Sequence, residues 1–143
     1  MNLKQKMKFK FLKHTADIKF QAFGSSLEEA FKNSALALTY IMYKGKIKPV
    51  IKKRIVVKGK DKANLLYTFL EEFLFLLDSE NFLLSRIEKL KINKNREYEL
   101  EAEVLGDSVE NYKPELDVKA VTYNEMFVRS EKNKFVCQVV VDV

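Results

Sequence analysis

The sequence predicts an α+β fold, two helices packed on a largely antiparallel sheet in a two-layer sandwich, and three observations carry that reading. Two segments place apolar residues at helical spacing behind a capping residue, and several others alternate apolar with polar residues at the strand period of two. The two helices are also interleaved among the strands without any internal repeat, as expected where helices cover one side of an antiparallel sheet. At 143 residues the chain fits one domain, residues 1–143, large enough to bury a core without staples, with residues 1–7 expected as a flexible extension. A hydrophobic content of 47% with 32% charged residues excludes a disordered chain, and the apolar runs are too short to span a bilayer.

The first β segment, "FKFLKHTADIKFQAF", changes parity. Its apolar positions are Phe9 and Phe11 before "HTAD" but Ile18, Phe20 and Ala22 after it, which no continuous strand permits. Two strands or strand halves must meet at His14 to Asp17, through a bulge or a tight loop. The first helix follows in "GSSLEEAFKNSALALTYIMYKGK". Ser25 with Glu28, or Ser26 with Glu29, offers a capping box, Gly45 offers a stop, and Leu27, Ala30, Phe31, Ser34, Leu38, Ile41 and Met42 share a face.

A short strand around Arg54 to Lys58 leads through a glycine-containing turn to Asp61, a cap for the second helix. That helix carries Leu65, Leu66, Phe69, Leu70, Phe73, Leu76 and Leu77 toward the core, leaving Glu71 and Glu72 on its less apolar side as a solvated face. From Phe82 onward the pattern is β. A turn at Asn93 to Arg96 and a second at Ser130 to Lys134 separate strands, and the last strand is "FVCQVVVDV".

Few residues carry recognisable chemistry. There is no glycine-rich phosphate loop, Cys/His cluster or nucleophile elbow, so the common enzyme signatures are absent. Cys137, the only cysteine, shares its parity with Phe135, Val139 and Val141 and reads as a small buried hydrophobe; one cysteine and a start without a secretion signal imply a reducing cytoplasm. The single histidine, His14, is either a loop residue bonded to backbone or a general base, and no orienting partner for the second role is visible. The net charge of +6 comes mainly from lysine and is densest from Lys44 to Lys62, which reads either as a solvated surface or as weak contact with RNA or an acidic partner. Asp17 stands at the parity break, and Asp142 ends an otherwise apolar strand. Each is either an exposed acid or one of two carboxylates that, with a backbone carbonyl, would suit a hard divalent ion.

Four words in order, "HTADI", "GSSLEEAF", "VKAVTY" and "VVVDV", together with the intervening helix "NLLYTFLEEFLFLLDSENF", resemble the archease family from about Phe9 to Val143. The resemblance implies an archease-like sandwich and a protein cofactor, not an enzyme, for the GTP-dependent tRNA-splicing RNA ligase. Such a cofactor assists guanylylation and repeated turnover of the ligase by means of a bound divalent metal. By position it implies Asp17, Asp142 and the carbonyl of Val143 as metal ligands, Lys119 of "VKAVTY" as a residue tied to activity, and His14 as support for the site. Calcium is the first expectation for the metal, with magnesium or manganese as alternatives. The expected partner is the ligase, with tRNA contacted indirectly and no membrane. Lys19 stands where the family motif usually has glycine, and Asn124 where many relatives have histidine. A rival reading is a chaperone-like or RNA-binding accessory module acting through Lys44 to Lys62. A third, a metal-dependent hydrolase with Asp17 as ligand and His14 as base, would require turnover by the protein alone.

Overall fold

The structure is a computed structural model that describes residues 7–13 and 16–143. In chain order the elements of the described residues are β1 (Phe9–Leu12), β2 (Ile18–Gly24), α1 (Leu27–Met42), β3 (Ile51–Gly59), α2 (Lys62–Glu80), β4 (Phe82–Lys94), β5 (Tyr98–Ser108), a 3-10 turn (Val109–Asn111), β6 (Ala120–Glu131) and β7 (Lys134–Asp142). The α+β class read from the sequence is the class observed, and every strand pairing among the described residues is antiparallel. The strands are divided between two sheets, one in the order β1-β2-β7-β6 and the other β3-β5-β4. Both helices touch strands of both sheets. Their apolar surface explains why, since α1 buries Ala30, Phe31, Ala35, Ala37, Leu38, Ile41 and Met42, a band wider than one sheet could cover.

The ends of the helices follow local chemistry. Ser26 Oγ accepts the Glu29 N–H at 3.1 Å, so of the two possible pairs it is Ser26 with Glu29 that caps α1, and Glu29 Oε1 reaches back one residue further to accept the Ser25 N–H at 2.7 Å. At the other end α1 stops at Tyr43, in extended conformation, two residues before the expected Gly45. Asp61 caps α2 by accepting the Asn64 N–H at 2.8 Å, and Asn81, left-handed at φ 56°, closes it.

The parity break separates two paired strands. Phe9 lies opposite Ala22 and Phe11 opposite Phe20, so the odd residues of β1 and the even residues of β2 share the helix-facing side. The longest-range link in the fold is β2 with β7, whose register runs from Ile18 opposite Val141 to Gly24 opposite Phe135. Strand β7 is buried on both faces. Cys137, Val139 and Val141 face the core, while Val136, Gln138 and Val140 are equally inaccessible on the opposite side. A bulge in β6 between Thr122 and Phe127 covers that second side, with Glu125 at φ 56° and its carbonyl accepting the Gln138 side-chain amide at 2.8 Å. Burial pushes the Cys137 thiol up to about 12, although a hydrogen bond with Ser34 opposes it, so the residue behaves as the small hydrophobe its parity suggests.

Within the basic section from Lys44 to Lys62, β3 carries Lys52, Lys53, Arg54 and Lys58, and the neighbouring β5 supplies acids. Lys52 pairs with Glu103 at 3.0 Å, Arg54 with Glu101 at 3.0 Å and Lys58 with Glu99 at 3.8 Å; Lys53 pairs with Glu80 from α2. These exposed pairs add little stability, but they offset the positive charge along β3.

One buried acid fastens the end of β5. Asp107, 6% exposed, accepts the Ser108 N–H at 2.8 Å, the Tyr112 hydroxyl at 2.8 Å and the Asn111 amide at 3.3 Å, while the Tyr112 oxygen accepts the Lys48 N–H at 2.8 Å. The Tyr112 hydrogen bond, helped by those from Ser108 and Asn111, holds the Asp107 carboxyl below the usual range against the opposing effect of burial. A lowered folded pKa contributes stability that is complete above the unfolded value of about 3.9 and is lost as pH falls through the folded value. Urea midpoints measured between about pH 5 and pH 2 are therefore expected to fall more steeply for the native protein than for Asp107→Asn. Parallel acid limbs would contradict this role.

Candidate metal centre

The site read from the sequence depends on whether the first strands and the last strand meet. They do, as the β2–β7 ladder shows, and its final pair at this end is Ile18 with Val141. One step further, Asp17 immediately precedes β2 and Asp142 is the last residue of β7. The two acids therefore lie one residue beyond the last pair of the ladder, at the same end of the sheet.

On its other side Asp142 is opposite Ala120 of β6, and its carbonyl accepts the Lys119 N–H at 2.8 Å. Lys119 thus enters the site through its backbone while its side chain is exposed. Val118, 6% exposed, anchors the segment, and Val143 packs against the core cluster, which holds its backbone beside Asp142. The structure therefore brings Asp17, Asp142, Val143 and Lys119 to one end of the four-stranded sheet. His14, assigned a supporting role by the resemblance, lies outside the described residues.

Lys19 is the departure from the family pattern closest to the acids. It is opposite Val140, two residues along the same face from Asp17, and its ammonium is directed across the sheet to Glu125 at 3.1 Å. Asn124 is exposed in the β6 bulge, where its N–H donates to Thr122 Oγ1 at 3.2 Å.

Glu71 was not visible as a site residue in the sequence. Instead of projecting into solvent, its Oε2 accepts the Val121 N–H at 2.9 Å, so α2 holds the first residues of β6, next to Lys119. Strand β6 is an edge of its sheet, and this carboxylate occupies a main-chain donor that an edge leaves open. Tyr67 and Tyr123, stacked at 4.2 Å, add a second tie between the same elements, with Asn64 donating to the Tyr123 hydroxyl at 2.7 Å. Burial, and then Glu80, raise the pKa of the neighbouring Glu72 carboxyl.

The donors at this end suit a hard cation. They are two carboxylates and main-chain carbonyls, whereas the one thiol, Cys137, is buried in the core. Among the described residues no group of three or more His, Cys, Asp or Glu side chains is placed to hold a metal. Calcium takes about six to eight oxygen ligands, so an ion held by two carboxylates and a carbonyl keeps positions for water or for groups of another molecule.

The model of the family described as "Archease protein family (MTH1598/TM1083)" matches residues 9–143. The archease of Pyrobaculum islandicum is 38% identical over 139 residues, covering 94% of this chain and 95% of its own. The solution structure of Methanobacterium thermoautotrophicum protein 1598 is similar with a TM-score of 0.83 and 33% identity, covering 95% of this chain and 99% of that one. A crystal structure from Thermotoga maritima, described as an archease and possible chaperone, shares the fold at a TM-score of 0.65 and 20% identity, covering 92% and 94%.

Glu71→Ala is expected to accelerate hydrogen exchange at the Val121 amide at least tenfold and to cost about 1 kcal/mol of stability, while amides in the middle of the β2–β7 ladder keep their protection. Unchanged exchange at Val121 would show that the carboxylate does not hold the strand.

Proposed function

Since the chain belongs to the archease family, we propose that it activates the GTP-dependent tRNA-splicing RNA ligase, promoting guanylylation and multiple turnover of that enzyme without being an enzyme itself. The observation that carries the reading is the β2–β7 register, whose last pair, Ile18 with Val141, leaves Asp17 and Asp142 as the next residues at one end of the sheet, while Lys119 donates its N–H to the Asp142 carbonyl. Asp17 and Asp142 would hold one divalent ion, calcium first among the candidates, with the Val143 carbonyl as a further oxygen. When bound, such an ion supplies positive charge that neutralises phosphate oxygens and helps orient an attacking group.

The chain's own residues do the rest. Asp17 and Asp142 converge from two strands, so they bind an ion only when the sheet is closed. Lys119, whose N–H is bonded to the Asp142 carbonyl, has an exposed side chain that would meet a phosphate or an acid of the partner. With an incomplete coordination sphere the corner docks where the ligase supplies the remaining oxygens, and the nucleophile belongs to the ligase. The working compartment is proposed to be the cytoplasm; among the described residues no helix is long and apolar enough to cross a membrane.

Two measurements test this proposal. Calcium is expected to raise the melting temperature of the native protein by several degrees, and Asp17→Ala or Asp142→Ala to abolish that rise. With a partner ligase and labelled GTP, the native protein is expected to drive guanylylation through many turnovers, the two aspartate variants to lose at least tenfold, and Lys119→Ala to lose activity while keeping the calcium response. Equal ligase turnover with and without the protein would sink the proposal.

A further inference from the structure

The outer face of the four-stranded sheet carries a second feature about 20 Å from the acids, at six residues of strand rise. Where β1, the end of β2 and the β6–β7 turn converge there is a cavity of about 880 Å³ whose lining includes Lys8, Lys10, Lys132, Lys134 and the ring of Phe23. The four lysines are exposed, and among the described residues none is in an ion pair. The one carboxylate of the lining, Glu29, is engaged by the Ser25 N–H and hydroxyl, at 2.7 and 3.2 Å.

Phe23 is the fixed floor of this cavity. Its N–H donates to the Lys8 carbonyl at 2.8 Å, and its carbonyl accepts the side-chain amide of Asn33, itself 8% exposed, at 2.6 Å. The ammonium groups of Lys134 and Lys10 lie 5.1 and 5.8 Å from its ring centre. The turn that supplies Lys132 and Lys134 is a two-residue hairpin connection with positive φ at both central positions, 38° for Lys132 and 66° for Asn133. Such positions favour glycine, asparagine or aspartate, so a lysine at the first of them gains its place at some local conformational cost.

The same face continues with matching chemistry. Phe23 is in one cross-strand row with Val136 and Arg129, and the adjacent row is Gln21, Gln138 and Phe127. The Arg129 guanidinium lies 3.8 Å from the centre of the Phe127 ring, and Gln21 donates to the Gln138 side-chain oxygen at 2.9 Å. Two aromatic–cation pairs therefore flank β7 at about 10 Å, twice the spacing between neighbouring strands, while the outer side of β7 between them is filled by Val136 and the bonded Gln21–Gln138 pair. Polyanion binding alone would need only the lysines. Rings set into a basic sheet face match a chain of phosphates that carries flat bases.

We propose that this face binds single-stranded nucleic acid, its phosphates at Lys8, Lys10, Lys132 and Lys134 and its bases against Phe23 and Phe127. The site is separate from the acidic corner, and its success or failure does not depend on ligase activation.

Fluorescence anisotropy with a labelled 12-nucleotide oligouridylate, and with oligothymidylate of the same length, tests the proposal on the full protein. With four phosphate contacts the logarithm of affinity is expected to fall against the logarithm of salt with a slope of about −3. Lys10→Gln with Lys134→Gln should weaken binding at least tenfold at low salt and reduce the slope by about 1.4. Phe23→Leu should weaken it about fivefold or more with the slope unchanged. Lys52→Gln with Arg54→Gln, on the other sheet, should have no effect. Melting temperatures establish that each variant is folded, and the exposed lysine variants carry the test should Phe23→Leu fail that check. Absence of binding, equal binding of a duplex of the same length, equal competition by polyglutamate, or loss with the β3 pair instead of the Lys10 and Lys134 pair would each overturn the proposal.

Discussion

The antiparallel pairing of β2 with β7 is the constraint on which the molecule depends, because it joins residues 18–24 to residues 135–141. Without that ladder β1 has no sheet to extend, the helix-facing residues Phe20, Ala22, Cys137, Val139 and Val141 have no common surface, and α1 loses one of its two walls. Contacts so distant in sequence cost loop entropy before they return any burial, so this sheet is expected to consolidate late in folding. The acidic corner inherits that dependence. Asp17 and Asp142 reach the same end of the sheet only because the ladder closes in one register, and a slip of one residue would send one carboxylate toward the core face.

The register also separates opposite charges on one surface. Counting along the outer face of β2 from the acidic end, the chain passes Asp17, Lys19, Gln21 and Phe23, and by the last of these it has reached a field of lysines. Lys19 would upset this polarity if its ammonium fell back on the acids. Its pairing with Glu125 of the β6 bulge holds it across Val140 instead, so the bulge both seals the outer side of β7 and occupies the one cation carried by the strand nearest the acids. Glu71 contributes from the opposite layer by holding Val121, the residue from which the bulge departs one step later.

Much of this was legible in the sequence, for reasons that differ from element to element. The parity shift at "HTAD" announced two paired strands because side-chain alternation is strict, and Ser26 and Asp61 announced helix starts because free N–H groups demand an acceptor. The α+β class followed from the two periodicities. Division into two sheets did not, since periodicity shows which side of a strand is apolar and not which strand lies beside it. The same gap hid the neutralisation of Lys52, Arg54 and Lys58 by the glutamates of β5, which depends on cross-strand register. Parity placed Asp17 at a junction and Asp142 on the non-core side of its strand; resemblance to a family, not local pattern, suggested that they were partners. Glu71 left no signal, because a glutamate on the polar side of a helix looks the same whether it faces water or a strand edge.

The central claim is that the two chain segments form one hard-cation site through the β2–β7 register. Manganese added substoichiometrically to nitrogen-15-labelled protein tests it most directly, since the ion broadens amide signals in its own neighbourhood. The account predicts early loss of the amide signals of Asp17, Ile18, Lys119, Ala120, Asp142 and Val143, with Phe23, Gly24 and Phe135 retained at the far end of the same ladder, and no selective loss in Asp142→Ala. Broadening centred instead on the glutamates of β5, or spread without selection over both sheets, would contradict it.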